Sequence, residues 1–191
     1  GLPLMPAEGE IVNTSNDIIE NISETLHINL SGRRGRDVGF NGLSGSVLDV
    51  GCRDGRYFGL LKMLGADNIY GVDLDSKVLK EARKKEGINP ENIYDSKVEE
   101  LPSKFNGFFE YAVVFNLSLD DKESRSAAVE RISRTLKSNG RFLATFTTLG
   151  ELKNYSPEIE QHFNVRSGEL INGSDKLDSS PHRYVMHRVK K

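Results

Sequence analysis

The sequence is poor in cysteine, in long apolar runs and in excess positive charge, which are typical of disulfide-rich secreted, membrane-spanning and nucleic-acid-binding proteins respectively. Its 191 residues include one cysteine, Cys52, and no tryptophan. No disulfide can therefore form within the chain, which favours a reducing, cytoplasmic location. No apolar run approaches the ~18 residues that would span a bilayer. The net charge is only -2, so neither bulk nucleic acid nor an anionic membrane is an expected partner.

The length and the hydrophobic content of 37% predict a single domain with one core. Within it, residues 1–45 are expected to hold an irregular arm, an amphipathic helix over Thr14 to His27 and an arginine-containing loop. Residues 46–150 form the expected core, and 151–191 a terminal helix with two strands. The chain begins with Gly1 rather than methionine, so the sequence leaves open whether a targeting segment precedes it.

The most informative stretch is Ser46 to Gly55, with the sequence SVLDVGCRDG. Its first half is apolar, as in a buried strand, and a turn follows with glycines at positions 51 and 55. Apolar residues then recur at helical spacing from Arg56 to Leu64. This succession predicts the strand, glycine turn and helix of a nucleotide-binding βαβ unit.

Strands and helices continue to alternate after this unit. Strands are expected over 68–72, 93–94, 108–115 and 141–147, with helices over 75–86 and from Asp120 or Asp121 to Asn139-Gly140. Such alternation requires a parallel sheet covered on both faces. A further helix is predicted to begin at Ser156-Pro157-Glu158.

The last two predicted strands, Phe163 to Leu170 and Arg183 to Val189, have no helix between them. The 12-residue loop that joins them is too short for a covered crossover. They are therefore expected to pair antiparallel.

The whole pattern resembles class I S-adenosylmethionine-dependent methyltransferases. The resemblance implies an α/β fold, a three-layer Rossmann-like sandwich whose seven-stranded sheet is mostly parallel with the last strand antiparallel. The first motif of that family, an acidic residue, any residue and Gly-x-Gly-x-Gly, corresponds to Asp49 through Gly55, with Arg53 in place of the middle glycine. The LKSNGRFL stretch before the fifth strand is similar to the family's Leu-Lys-Pro-Gly-Gly, with two changes.

By this resemblance the cofactor is S-adenosylmethionine and the product S-adenosylhomocysteine. Asp73, with Asp75 as a second choice, is expected to hold the ribose hydroxyls, and Lys97 or Val98, with Asp95 as a substitute, to contact the adenine. The full set of expected cofactor-binding residues is Asp49, Gly51, Cys52, Arg53, Gly55, Asp73, Leu74, Lys97, Val98 and Asn116.

The residues themselves favour this cofactor over a nicotinamide dinucleotide. Gly51 and Gly55 would let a ligand approach the backbone, and Asp73 lies 22 positions after Gly51, at the spacing of a ribose-binding carboxylate. A dinucleotide, however, needs Gly-x-Gly-x-x-Gly, which is not present here. The Asp49 carboxylate suits an ammonium group. The competing interpretations are that Asp49 ties down the loop and that Asp73 only caps the next helix.

The acceptor side is less defined. Arg33, Arg34 and Arg36, on the predicted loop from Asn29 to Gly45, could clamp a carboxylate or phosphate of an acceptor or simply be solvated. A small molecule is the expected acceptor. The candidates for a general base are Asp120, Asp121 and His162, each of which could instead cap or end a helix. No metal site is expected.

Two other classes of function stay open. One is a non-catalytic binding or scaffold protein that keeps the fold, as the departures at Arg53, Lys97 and Asn139 would suggest. The other is a nicotinamide-dependent oxidoreductase, which the glycine spacing disfavours.

Overall fold

The structure, a computed structural model, describes residues 30, 32–116, 121–165 and 182–191. The predicted arm, the predicted helix over Thr14 to His27, Asp120, and most of the segment between the last two strands lie outside the described residues.

Seven strands form one sheet within the described ranges. They are β1 Ser46–Val50, β2 Asn68–Asp73, β3 Ile93–Asp95, β4 Phe109–Phe115, β5 Leu136–Phe146, β6 Phe163–Asn164 and β7 Tyr184–Lys190. The helices are α1 Gly32–Asp37, α2 Phe58–Met63, α3 Ser76–Arg83, α4 Lys122–Thr135 and α5 Leu149–His162. Three short 3-10 turns span Pro90–Asn92, Val98–Glu100 and Ser103–Phe105.

The strand order is β3-β2-β1-β4-β5-β7-β6. The pairs from β3 to β5 are parallel, whereas β7 runs antiparallel to both β5 and β6. This confirms the predicted mostly parallel sheet with a reversed last strand. The chain order changes direction between β1 and β4, and in open α/β sheets ligands bind at such a switch point, beyond the carboxyl ends of the strands. We call this side of the sheet the carboxyl edge.

The sheet separates two apolar clusters, as the period-two alternation of strand side chains requires. On one face, Leu48 and Val114 pack with the buried side of α4 and α5. On the other, Val47 and Val113 pack with α2, α3 and the residues that flank α1. The result is the expected three-layer sandwich.

The predicted loop from Asn29 to Gly45 is wrong in part, because it contains the six-residue helix α1. The flanking residues Leu30 and Val38 are each only 3% exposed. A Cβ at Gly35 would lie 2.2 Å from the Leu30 carbonyl oxygen. Buried anchors and a close backbone contact at a glycine therefore fold this polar stretch into a turn of helix.

The predicted end of the fourth helix at Asn139-Gly140 is also wrong, because α4 ends at Thr135 and β5 begins at Leu136. The carbonyls of Arg134 and Thr135 accept hydrogen bonds from the N–H groups of Gly107 and Phe108, at 2.9 and 2.8 Å. Pairing with the approach to β4 thus replaces the next helical turn.

Strand β5 bulges where the helix was expected to end. Phe109 pairs with Leu136 and Tyr111 with Arg141, so the single residue between them on β4 faces four residues on β5. Asn139 turns the bulge with a φ of 61°. The Asn139-Gly140 turn signal is therefore real, but it lies inside a strand.

Helix α5 begins at Leu149, earlier than the predicted start at Ser156-Pro157. Thr148 caps it by accepting the Glu151 N–H at 3.1 Å. Pro157 lies inside the helix, although proline usually destabilises a helix interior. The capping pair three residues apart was the sequence signal that outweighs this proline.

Candidate cofactor and acceptor site

The turn after β1 is held against β2. The N–H groups of Gly51 and Cys52 both donate to the Val72 carbonyl, at 2.8 and 3.1 Å. Gly51, Arg53 and Gly55 have φ values of 75°, 51° and 78°. Left-handed backbone at all three positions explains why glycines suit this turn, and Arg53 adopts the conformation at some energetic cost.

The two glycines have different roles. A Cβ at Gly51 would meet no atom of the described protein within 4 Å, whereas one at Gly55 would lie 2.7 Å from the Phe58 ring. Gly51 therefore borders open space that a ligand can enter. Gly55 is required for packing inside the turn, which corrects the expectation that both glycines admit a ligand.

Asp73, at the end of β2, is oriented by backbone donors. Its Oδ2 accepts the Arg53 N–H and its Oδ1 the Asp75 N–H, each at 2.9 Å. The cap of α3 is Asp75, which accepts the Lys77 N–H at 3.1 Å. The interpretation of Asp73 as a helix cap is therefore wrong, and each of its oxygens keeps a lone pair for a further donor.

Asp49 is a buried carboxyl group in the inner strand β1, only 1% exposed. Its Oδ2 has no hydrogen-bond partner among the described residues. Burial, and then the charge of Asp73, raise the pKa of the Asp49 carboxyl well above its usual range. The free protein thus holds an acceptor that a cationic donor would satisfy.

An open cavity of about 200 Å³ lies beyond the ends of β1, β2 and β3. The residues that line it are mainly apolar at the cavity surface. One of them, Leu74, is 63% exposed to solvent. The lining residues are Val50, Gly51, Val72, Asp73, Leu74, Ser96, Lys97, Val98, Glu99, Ser124 and Ala128. The structure therefore brings five of the ten predicted cofactor-binding residues to one cavity: Gly51, Asp73, Leu74, Lys97 and Val98. The other five, Asp49, Cys52, Arg53, Gly55 and Asn116, are not among its lining residues. Asp95 is exposed and is not among the lining residues.

A second group of polar residues lies at the carboxyl ends of β4 and β5. Asn116, with a φ of 57°, donates its N–H to Thr145 Oγ1 at 3.0 Å. Thr145 Oγ1 also lies 2.8 Å from Nδ1 of His182, whose Nε2 lies 2.8 Å from the Tyr57 hydroxyl. Sequence reasoning missed His182 and Tyr57, because only the fold brings them next to the end of β4.

Cys52 is a structural residue rather than a reactive one. Its side chain is 1% exposed, and a Cβ at Gly71 would lie 2.7 Å from the Cys52 sulfur. Burial raises the pKa of the thiol far above its usual range. A small buried side chain that packs on β2 accounts for it.

The predicted acceptor-side residues are dispersed. Arg33, Arg34 and Arg36 lie on α1, where the side chains of the first two are outside the described set and that of Arg36 is exposed. Asp121 caps α4 through the Ser124 N–H at 3.0 Å, and hydrogen bonds from Ser124 lower its pKa. A carboxyl held as an acceptor in this way is a poor general base.

His162 lies far from the cavity along the sheet. It ends α5, directly before β6, and its carbonyl accepts the Lys191 N–H at 3.0 Å. Phe163 pairs with Lys190, the last residue of the antiparallel strand β7. This is the edge opposite to the carboxyl edge, so the structure does not support His162 as a base.

Comparisons with known proteins agree with this geometry. A model of the methyltransferase domain matches residues 48–144, slightly more than half of the chain. No functionally characterised sequence matches the chain significantly. No helix in the described part of the chain is long and apolar enough to cross a membrane.

Many solved structures share the fold. A TehB-like SAM-dependent methyltransferase from Corynebacterium glutamicum is 16% identical, with a TM-score of 0.57 and coverage of 96% of both chains. The N-methyltransferase NodS from Bradyrhizobium japonicum, in complex with S-adenosyl-L-homocysteine, is 12% identical, with a TM-score of 0.56 and coverage of 90% of this chain and 86% of NodS. The tRNA (m1A58) methyltransferase TrmI from Aquifex aeolicus is 13% identical, with a TM-score of 0.58 and coverage of 88% and 68%.

Arg53 provides a test of the turn. We expect Arg53→Gly to keep or raise the free energy of unfolding, because relief of the left-handed strain, ~1–2 kcal/mol, offsets the entropy cost of glycine. Arg53→Val should lower it by more than about 1 kcal/mol, since β-branched residues disfavour this conformation. Urea unfolding of both variants checks the prediction. A destabilised glycine variant would show that the Arg53 side chain, and not only its backbone N–H, supports the turn.

Asp49 predicts a pH dependence. Because its pKa is higher in the folded than in the unfolded chain, the folded state binds more protons above pH 4, and this residue destabilises the protein as pH rises. The stability of Asp49→Asn relative to the parent should therefore be greater at pH 8 than at pH 4.5. The increase should be about 1.4 kcal/mol for each pH unit by which folding raises the pKa of Asp49. Urea unfolding at both pH values measures the gain. An equal difference at both values would contradict the prediction.

Proposed function

The chain belongs to the methyltransferase domain family, and we propose that it transfers the methyl group of S-adenosylmethionine to a small-molecule acceptor. Its cofactor is S-adenosylmethionine. The observation that carries the proposal is the buried Oδ2 of Asp49, which lacks a partner among the described residues at the switch point of the sheet.

The residues of the site fit this cofactor part by part. Asp49 offers its unpartnered oxygen to the ammonium of the methionine moiety. Asp73 has a free lone pair on each oxygen for the ribose hydroxyls, and its two backbone donors hold the carboxylate in place. The apolar walls of the cavity, including Leu74 and Val98, suit a flat adenine.

Gly51 completes the fit. It borders the site with open space where a side chain would otherwise stand. The turn has no succession of glycines in the Gly-x-Gly-x-x-Gly spacing that a pyrophosphate requires. This supports S-adenosylmethionine over a nicotinamide dinucleotide.

When bound, S-adenosylmethionine supplies a sulfonium methyl group for an in-line substitution by a nucleophilic atom of the acceptor. The contribution of the protein is then to hold the two partners in line, which can account for a large part of the rate. Asp49 and Asp73 would fix the cofactor, which is one of these two partners; the acceptor is the other. Asn116, at the end of β4 across the switch point from β1, would meet the other.

The acceptor is proposed from the surroundings of the site. The nearly balanced charge of the chain does not favour a polyanion. Helix α1, which carries Arg33, Arg34 and Arg36, is flanked by Leu30 and Val38, and these pack in the same cluster as Phe115 of β4. We propose that these arginines recognise an anionic group of the acceptor. The lone, buried Cys52 further supports a reducing, cytoplasmic setting.

Two neighbouring aspartates test the cofactor site. Asp73→Ala should weaken S-adenosylmethionine binding by about 2–4 kcal/mol, because two charge-assisted hydrogen bonds to the ribose are lost. Asp75→Ala is the matched control: it removes the cap of α3 and costs about 1 kcal/mol of stability, but should leave the affinity nearly unchanged. Calorimetric titration measures both. Equal affinities for the parent and Asp73→Ala would refute the assigned role.

Methyl transfer itself is tested with methyl-labelled S-adenosylmethionine and fractionated cell extract. Label should enter the small-molecule fraction with the parent protein and should not with Asp73→Ala. Label found only in RNA or protein would overturn the small-molecule acceptor while supporting transfer. Cofactor binding without transfer to any fraction would instead indicate a scaffold protein.

A further inference from the structure

His182 is buried at the carboxyl edge, between two hydroxyl groups from distant parts of the chain. It is 0% exposed, and only Arg183 separates it from the start of β7. Its Nε2 is 2.8 Å from the Tyr57 hydroxyl, and its Nδ1 is 2.8 Å from Thr145 Oγ1. The imidazole thus bridges the start of α2 and the end of β5.

The bridge continues to the tip of β4. Thr145 Oγ1 accepts the Asn116 N–H at 3.0 Å, and the Asn116 side-chain oxygen accepts the Thr147 hydroxyl at 2.7 Å. A continuous set of hydrogen bonds therefore runs from Tyr57, two residues after Gly55, to Asn116. One end follows the cofactor turn, and the other is where the acceptor is proposed to lie.

The chemistry of the bridge suits a fixed rather than a titrating group. Burial lowers the pKa of His182 to about 4, so the ring is neutral at pH 7, with one nitrogen a donor and the other an acceptor. Hydroxyl groups satisfy either tautomer, because each can donate or accept. The rings of Tyr57 and Phe115 meet the imidazole edge to face, at centroid distances of 5.3 and 6.1 Å. Both hydrogen bonds and ring contacts hold it in one orientation.

We propose that His182 is a positioning residue for methyl transfer, which sets the place of Asn116 relative to the cofactor turn through Thr145 and Tyr57. This inference rests on the proposed function. It assigns His182 no proton transfer: the imidazole acts through Asn116, and its contribution is alignment of the acceptor with the bound cofactor.

A second buried histidine in the same strand region offers a matched control. His187 is 4% exposed and stacks on Tyr111 at a centroid distance of 6.1 Å, and its Nδ1 donates to the Val38 carbonyl at 3.0 Å. It pairs with Leu143 in the middle of β5, away from the strand ends. Loss of this imidazole perturbs the core without touching the bridge to Asn116.

The test compares Tyr57→Phe, His182→Phe and His187→Phe, all of which keep an aromatic ring. Melting temperature, calorimetric affinity for S-adenosylmethionine, and kcat and KM for the acceptor recovered from the labelled fraction are measured for each. Nitrogen-15 NMR of the histidine rings in the free protein gives a readout that needs no acceptor.

We expect Tyr57→Phe and His182→Phe to lower kcat by about 10- to 100-fold, since a small misplacement of reacting groups costs that much, while cofactor affinity changes little. His187→Phe should lower the melting temperature by a comparable amount but keep kcat. In the NMR spectra His182 should be neutral at pH 6, and its ring resonances should move in Tyr57→Phe.

Each contrary result is distinct. Parent-like kcat in Tyr57→Phe and His182→Phe, or an equal loss of kcat in His187→Phe, would overturn the positioning role and leave the methyltransferase function in place. A His182 ring that is protonated at pH 6 would overturn the neutral bridge. Absence of label transfer by the parent protein would instead refute the proposed function, and this inference with it.

Discussion

The site depends on the buried carboxylate of Asp49 in the inner strand β1 of the sheet. An ionisable side chain that is 1% exposed and has an oxygen without a partner among the described residues costs stability in the free protein. That oxygen makes no hydrogen bond to the described residues that would offset the cost of its burial. The neighbouring Asp73 adds a second negative charge and raises the cost. A cationic ligand relieves both, so the same arrangement that destabilises the free protein favours binding of a cofactor that carries an ammonium group.

The topology determines what surrounds this carboxylate. The sheet changes direction between β1 and β4, so the segments that follow these two strands diverge and leave a crevice at the carboxyl edge. The glycine turn and Asp73 lie on the side of β1 and β2. Asn116, Thr145 and His182 lie on the side of β4 and β5. The proposed cofactor and acceptor positions thus lie on two halves of one edge, and the bridge from Tyr57 to Asn116 connects them.

Much of this could be predicted from the sequence, because local signals and fold-level rules agreed. Alternating strands and helices predicted the parallel sheet, and the short polar segment before β7 predicted its reversal. The spacing from Gly51 to Asp73 predicted that these two residues share a site, and both line the cavity. These features depend on neighbours in sequence or on rules that hold for all such sheets.

The errors arose where tertiary contacts outweigh local preference. Helix α4 ends early because Gly107 and Phe108 take its last carbonyls, and α1 forms in a glycine-rich stretch because Leu30 and Val38 are buried beside it. His182 carries no local signal at all. Its partners lie 125 and 37 positions away in the chain, and only the folded sheet brings it to the carboxyl edge.

The central claim is that the ammonium group of the cofactor binds the unpartnered oxygen of Asp49. It is tested most directly by counting the protons exchanged on binding. Calorimetric titration with S-adenosylmethionine at pH 6, in buffers of different ionisation enthalpy, counts these protons, and at this pH an α-amino group is already protonated. Because Asp49 has a raised pKa in the free protein and should ionise beside the ammonium, the parent should release protons on binding, and Asp49→Asn should not. Equal proton release by the two proteins, or binding of equal affinity, would contradict the account.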